Sequence, residues 1–325
     1  MADVKIQGSE NRKKVMRKIV VVDPYGIGTP QKSMLDFNEF VCEIEHHRIN
    51  FDVKVIVDLI DSLKETTDVF VMQGIPSGLS FGNERINFKQ FEKIKKSAGE
   101  VPLFTGEKLR ELYARWTIEK TIKKHPHLFR NKRILFHVYT IMPIASAFKS
   151  VTDKFSFLDP LAILSIPKKL KSLFQVKIFF QKVLPLVRIL GDKAINPSSA
   201  FKSKAQNVFV KAALKDSDVF VTFSKLLNLI EDFSLFKDKL IIVDVLTAEM
   251  RGKISKVKTK GVLEYMPFQE SLEKLGISSF SILVAVIYLD KNYSQVPLEM
   301  DEFMIDWIEK YGLKPKAFER FKEPA

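Results

Sequence analysis

The chain carries one cysteine, Cys42, in 325 residues. No internal disulfide can form, which excludes a disulfide-stapled scaffold and points to a reducing compartment. Glycine (13) and proline (14) are sparse, so collagen-like and low-complexity architectures are excluded. The first eighteen residues hold no apolar stretch that could act as a signal-peptide core, so secretion is not expected. Long hydrophobic runs are missing as well. Residues 277–289 (ISSFSILVAVIYL) are apolar but fall short of the ~20 residues a membrane span needs. The segment Leu173–Leu190 is interrupted by Lys177, Lys182, Pro185 and Arg188.

Catalytic signatures are missing too. There is no G-x-x-x-x-G-K-[ST] loop, no G-x-S-x-G elbow and no H-E-x-x-H. Gly26-Ile27-Gly28 follows an apolar strand, but Gln31 stands where a dinucleotide fingerprint needs its third glycine. Cys42, His46, His47, His125, His127 and His137 have no metal-ligand spacing. Asp23, Asp58, Asp61, Asp159 and Asp244 lie near strand ends, with no pairing legible among them. No metal, cofactor or catalytic residue is expected from these motifs, and a binding protein is favoured over an enzyme.

What is present is apolar content and positive charge. Hydrophobic residues make up 46% of the chain, enough for a buried core. The net charge is +13. The strongest pattern is a period-two alternation from Phe40 to Val57, which predicts two antiparallel strands, or one long bent strand, over residues 39–59. Further strands are expected at 18–23, 68–73, 133–144, 155–164, 219–223, 239–246 and 280–289, with a part-strand in 175–189. Helices are expected at 87–98, 105–124, 226–236 and 301–311, and a short helix or turn at 207–214. No internal repeat is evident. The chain therefore reads as a basic arm (1–17), one β-rich core (18–294) and an acidic amphipathic helical tail (295–325). The expected fold is mainly β with helical insertions, an α+β arrangement.

The charge is unevenly placed. From Lys168 to Lys215, eleven basic residues face Asp192 alone, a local excess of ten. Lys168, Lys169, Lys171, Lys177, Lys182, Arg188, Lys202 and Lys204 belong to this stretch, interleaved with Phe174, Phe179, Phe180, Phe201 and Phe209. A second run comprises Arg251, Lys253, Lys256 and Lys258. Such density is the footprint of a polyanion binder: neutralised phosphates release counterions, and aromatic rings stack on single-stranded bases. An anionic membrane surface is the other acidic partner this charge suits.

The order of features resembles a known family. An alternating segment (NEFVCEIEHHRINFDVKVIVDLI, 38–60) precedes a strand leading to an aspartate (RILFHVYTIMPIASAFKSVTDKFSFLD, 133–159). A basic, strand-like region follows (LFQVKIFFQKVLPLVRILGD, 173–192). This resembles the thirty-kilodalton-type movement proteins of plant viruses, and its size and charge are similar to those of plant rhabdovirus movement proteins. The resemblance implies a jelly-roll-like antiparallel β-sandwich and assigns Asp159 as the family's structural aspartate. It also implies binding of single-stranded RNA or a viral nucleocapsid, self-association, contact with host transport proteins, and peripheral residence at plasmodesmata. A nucleocapsid-type RNA-binding protein is a related reading. The alternative from a different class is an α/β nucleotide-sugar glycosyltransferase. It is suggested by KIVVVDPYGIG (18–28), DVFVMQG (68–74) and DSDVFVTFS (216–224), which resemble Rossmann-type strands running into ligand loops.

Overall fold

The computed structural model describes residues 14–24, 27–36, 40–73, 77–81, 84–140, 143–190, 204–228, 230–266, 280–290 and 309. The fold mixes α and β, and among these residues helix outweighs strand. The strands form two five-stranded sheets and a short hairpin.

The first sheet contains β1 (Val15–Asp23), β2 (Gln31–Asp36), β3 (Phe40–Arg48), β4 (Val69–Met72) and β7 (Leu103–Phe104), in the order β2-β3-β1-β4-β7. Only β2 runs antiparallel. The second sheet contains β8 (Ile134–Phe136), β9 (Phe155–Phe157), β10 (Val219–Val221), β11 (Leu240–Val243) and β12 (Gly261–Glu264), in the order β9-β8-β10-β11-β12, all parallel. The hairpin pairs β5 (Gly78–Phe81) with β6 (Glu84–Asn87). In each sheet the strand that comes first in the chain lies inside. The order therefore reverses beside it, between β1 and β4 and between β8 and β10.

This architecture corrects the expected antiparallel jelly roll. The central strands read as unbroken apolar runs (IVVV, VFVM, VFV, LIIV) and are buried on both faces, as parallel sheets covered by helices require. The alternation in β3 has a local cause. Phe40, Cys42 and Ile44 enter the core, while Glu43 and Glu45 on the other face pair with Lys32 and Lys18. The alternation beyond it is accidental. Asp52 caps a helix, accepting from the backbone N–H groups of Lys54 and Val55, and α1 (Val53–Leu63) buries Ile56 and Ile60 at helical spacing.

Two other expected strands are helices. In α5 (Leu173–Leu190), Val176, Phe180 and Val183 form one buried stripe, with Pro185 inside the helix. The run 280–289 is the helix α9 (Phe280–Asp290), buried along most of its length against β1, β4, β7 and α3 (Glu107–Lys124). A short run of Ile, Val and Leu buried all round has no period to distinguish strand from helix. The predicted strand at 155–164 stops at Phe157, and α4 (Asp159–Leu164) follows.

Three expected helices hold, as α2 (Lys89–Ser97), α3 and α6 (Lys204–Lys215). The helix expected over 226–236 is instead a single turn, α7 (Ser224–Leu227), and a separate 3-10 turn at Phe233–Phe236. The helix expected over 301–311 lies outside the described residues save for position 309. Helix α8 (Ala248–Ser255) was not expected. Helix α3 is wedged between the sheets. Leu109, Leu112 and Tyr113 pack with the first sheet, whereas Ala114, Ile118 and Ile122 pack with the second. Most of the expected arm and nearly all of the acidic tail lie outside the described residues. Among the described residues no helix is long and apolar enough to cross a membrane.

The two sheets repeat one device. Asp68, just before β4, accepts from the Lys18 backbone N–H (2.7 Å) and from Arg17 (3.1 Å). Asp218, just before β10, accepts from the Arg133 backbone N–H (2.9 Å) and from the Arg133 guanidinium (3.1 Å). D-V-F-V at 68–71 and again at 218–221 thus occupies the same place in each sheet, beside the strand that comes first in the chain. It is a structural repeat where the sequence was expected to have none.

Candidate functional site

In open parallel sheets, ligands bind beyond the carboxyl ends of the strands, where the strand order reverses. The amino-terminal turns of α3 contact residues that follow a strand beside each reversal point, Ser77 after β4 and Phe223 after β10. At the first sheet, Glu107 opens α3 and accepts from the Ser77 backbone N–H at 2.8 Å and from the Ser77 hydroxyl. Arg85 of the hairpin donates to the same Ser77–Glu107 pair. One turn later Arg110 reaches the second sheet. Its guanidinium lies 6.0 Å from the centre of the Phe223 ring, and its charge acts on Asp244 and Tyr265 at the ends of β11 and β12. The hairpin closes the same side, since the Ser80 backbone N–H donates to Thr140 at 2.8 Å.

The strand ends of the second sheet are densely polar. Asp244 accepts from the Ser224 backbone N–H (2.6 Å) and hydroxyl (3.2 Å), which ties the turn after β10 to β11. Loss of solvation raises the Asp244 carboxyl above its ordinary range. His137, fully buried at the end of β8, lies 2.9 Å from the Thr222 hydroxyl at the end of β10, across the reversal point. Burial lowers the His137 imidazole to about 3, so it is neutral near pH 7. Glu264, at the end of β12, accepts from the Leu246 backbone N–H and from Arg251.

Buried polar atoms near these edges that have no hydrogen-bond partner among the described residues include Gln73 Oε1, Arg110 Nε and Tyr265 Oη. Each such group costs about 1–3 kcal/mol. Such groups call for a specific explanation, of which an external partner is one.

The residues singled out for charge lie elsewhere. Lys168, Lys171, Lys177 and Lys182 are exposed on α5 and the segment before it. Lys169 pairs with Asp216 at 3.1 Å. Arg188 and Lys204 belong to α5 and α6, with side chains outside the described set, and Lys202 lies outside the described residues. In the second run Arg251 turns inward to Glu264, Lys253 pairs with Glu249 at 2.6 Å, and Lys256 and Lys258 are exposed. The two runs are separated. Val176 of α5 packs on one face of the second sheet, whereas Met250 and Ile254 of α8 pack on the other.

Asp159 is fully buried. Its carboxylate accepts from the backbone N–H groups of Tyr139 (3.0 Å) and Thr140 (2.8 Å) and from the Thr140 hydroxyl (2.7 Å), clamping the loop that follows β8. Burial pushes its pKa up, and these hydrogen bonds oppose the shift. Among the described residues no cluster of His, Cys, Asp and Glu could hold a metal. Cys42 is buried and its thiol is pushed up to about 12 by desolvation, so it is unreactive.

Sequence reasoning missed Arg110, Tyr265, Ser77 and Ser224. Their one signal was that D-V-F-V strands run into polar loops.

Residues 108–319 match the family described as "Domain of unknown function (DUF8754)", and residues 31–105 match "Domain of unknown function (DUF8753)". No curated protein matches the sequence. Among solved structures, a K89L mutant of glutamate dehydrogenase is similar at 9% identity and a TM-score of 0.38, over 84% of this chain and 67% of that one. A carbohydrate transporter from Acidothermus cellulolyticus, in complex with myo-inositol, is similar at 6% identity and a TM-score of 0.37, over 91% of this chain and 99% of that one. Scores this low carry no argument about function.

Proposed function

We propose that this chain, which belongs to the family of the domain of unknown function DUF8754, is a nucleotide-sugar-dependent glycosyltransferase. One observation carries this reading. Two mainly parallel sheets with reversed strand order both have residues beyond their strand ends in contact with the first two turns of α3, where Arg110 keeps an Nε with no hydrogen-bond partner among the described residues. A nucleoside diphosphate sugar has the matching chemistry. Its diphosphate needs a cation and helix amino-terminal N–H groups, and its sugar needs polar donors such as Tyr265. Transfer breaks the bond between the sugar's anomeric carbon and the diphosphate, and forms a bond to an acceptor oxygen. Arg110 would stabilise the charge that develops on the departing diphosphate.

Thermal unfolding in the presence of individual nucleoside diphosphate sugars tests the reading. One of them at saturating concentration should raise the midpoint by on the order of 5 °C, and Arg110→Ala should abolish the shift. The reading fails if none stabilises the protein, or if the variant responds like the parent.

A second reading, the cell-to-cell movement protein, keeps the support of the exposed lysines Lys168, Lys171, Lys177 and Lys182. Filter binding of single-stranded RNA against salt tests it. Replacing Lys168, Lys169 and Lys171 with Ala should weaken binding and flatten the salt dependence. Unchanged affinity and slope would end that reading.

A further inference from the structure

Helix α5 carries two faces. Its inner face, Val176, Phe180 and Val183, is buried. Its outer face should then be polar throughout, but it is not. Phe174 is 70% exposed, and Ile178 and Leu186 are 37% and 38% exposed. They lie four, or twice four, residues apart, with Lys182 completing the line, so they form one stripe along the helix. Ile166, in the segment leading into the helix, is 46% exposed. Lys168, Lys171, Lys177 and Lys182 accompany this stripe, all exposed and, among the described residues, none in an ion pair. No acidic residue occurs between Asp159 and Asp192.

Exposed Phe, Ile and Leu along a lysine-edged helix are what a helix needs to lie in the interface of a negatively charged bilayer. The apolar side chains enter the acyl boundary while lysines meet the headgroups. Single-stranded nucleic acid fits less well. Ile166, Ile178 and Leu186 offer no ring for base stacking, and Phe174 is the one strongly exposed aromatic on this face. An ordinary protein partner does not explain why α5 and the segment leading into it contribute lysines and no acidic residue.

We propose that the outer face of α5, with the Ile166–Lys171 segment before it, docks the protein on an anionic lipid surface as a peripheral contact. The proposal is independent of the glycosyltransferase reading, since it concerns a face remote from Arg110 in sequence and needs no bound nucleotide.

Sedimentation of the full chain with vesicles tests it. The protein should pellet with vesicles of phosphatidylcholine mixed with phosphatidylserine, and stay in solution with phosphatidylcholine alone. Lys171, Lys177 and Lys182 changed together to Gln should weaken binding by roughly fivefold per lysine. Phe174→Ser with Ile178→Ser keeps every charge, and should still weaken binding on the order of tenfold or more. All five positions are exposed, and an unchanged unfolding midpoint would confirm that the variants fold. The proposal is overturned if neither vesicle pellets the protein. It is also overturned if the Phe174/Ile178 variant binds like the parent, because the contact is then charge alone. Binding of single-stranded RNA that depends on the lysines, without vesicle binding, would reassign the face to nucleic acid.

Discussion

At the scale of single residues, the molecule places carboxylates where backbone donors converge. Asp159 is the clearest case, a fully buried acceptor for two backbone N–H groups and one hydroxyl. Asn at this position keeps the shape but turns an N–H₂ group toward donors. Asp159→Asn should therefore cost roughly 3 kcal/mol of unfolding free energy, measured by urea denaturation. Asp218 provides a pH-dependent counterpart. Burial works against its ionisation, but hydrogen bonds and charge from Arg133 prevail and bring it down to about 2. A carboxyl lowered on folding adds stability above its unfolded pKa near 4, and that stability is lost as pH falls through about 2. Asp218→Asn should remove this part of the acid limb between about pH 4 and 2. Unfolding midpoints recorded against pH for both proteins would reveal it; parallel curves would count against it.

At the scale of elements, α3 and α9 meet at one glycine. Gly106 has φ +74°, and a Cβ added there would lie 2.8 Å from the Ser281 backbone. The approach lets the Ser281 hydroxyl donate to the Thr105 carbonyl, 2.8 Å away. Both the positive φ and the contact oppose a side chain. Gly106→Ala should cost roughly 3 kcal/mol and loosen α9 from the first sheet, raising hydrogen exchange of α9 amides before those of the second sheet. Uniform exchange across both would contradict the assignment.

At the scale of the whole molecule, the shared helix couples the sheets. Leu109 and Tyr113 belong to the core of one, and Ala114 and Ile118 to the core of the other, within three turns of a single helix. Neither sheet can lose α3 without exposing the other's apolar face. Scanning calorimetry should record one cooperative transition, with equal calorimetric and van't Hoff enthalpies. Two resolved transitions would mean that the halves are energetically separate. The net charge of +13 belongs to this scale as well, and Lys168, Lys171, Lys177 and Lys182 concentrate part of it on α5 and the segment before it.

Several elements were legible without any tertiary information. The strands at 18–23, 68–73 and 239–246 announce themselves as apolar runs, and α3 by its acidic start and basic end. The concentration of positive charge after Lys168 is equally plain, as is the lack of a disulfide framework. The remainder depended on contacts distant in sequence. Alternation from Phe40 to Val57 cannot say that its first half is a strand whose outer face pairs Glu43 and Glu45 with Lys32 and Lys18, nor that Asp52 caps a helix in its second half. The apolar run at 280–289 is compatible with a strand or a helix until a surface is available to cover it, and the first sheet supplies that surface. Parallel pairing joins strands far apart along the chain, so local pattern is silent on it. The meeting of Arg110, Asp244 and Tyr265 follows only once two sheets have folded against one helix. Composition and charge thus determined what kind of surface the protein presents. Long-range packing decided which residues stand together at the strand ends, because burial of both sheet faces leaves those ends as the place where polar groups can gather.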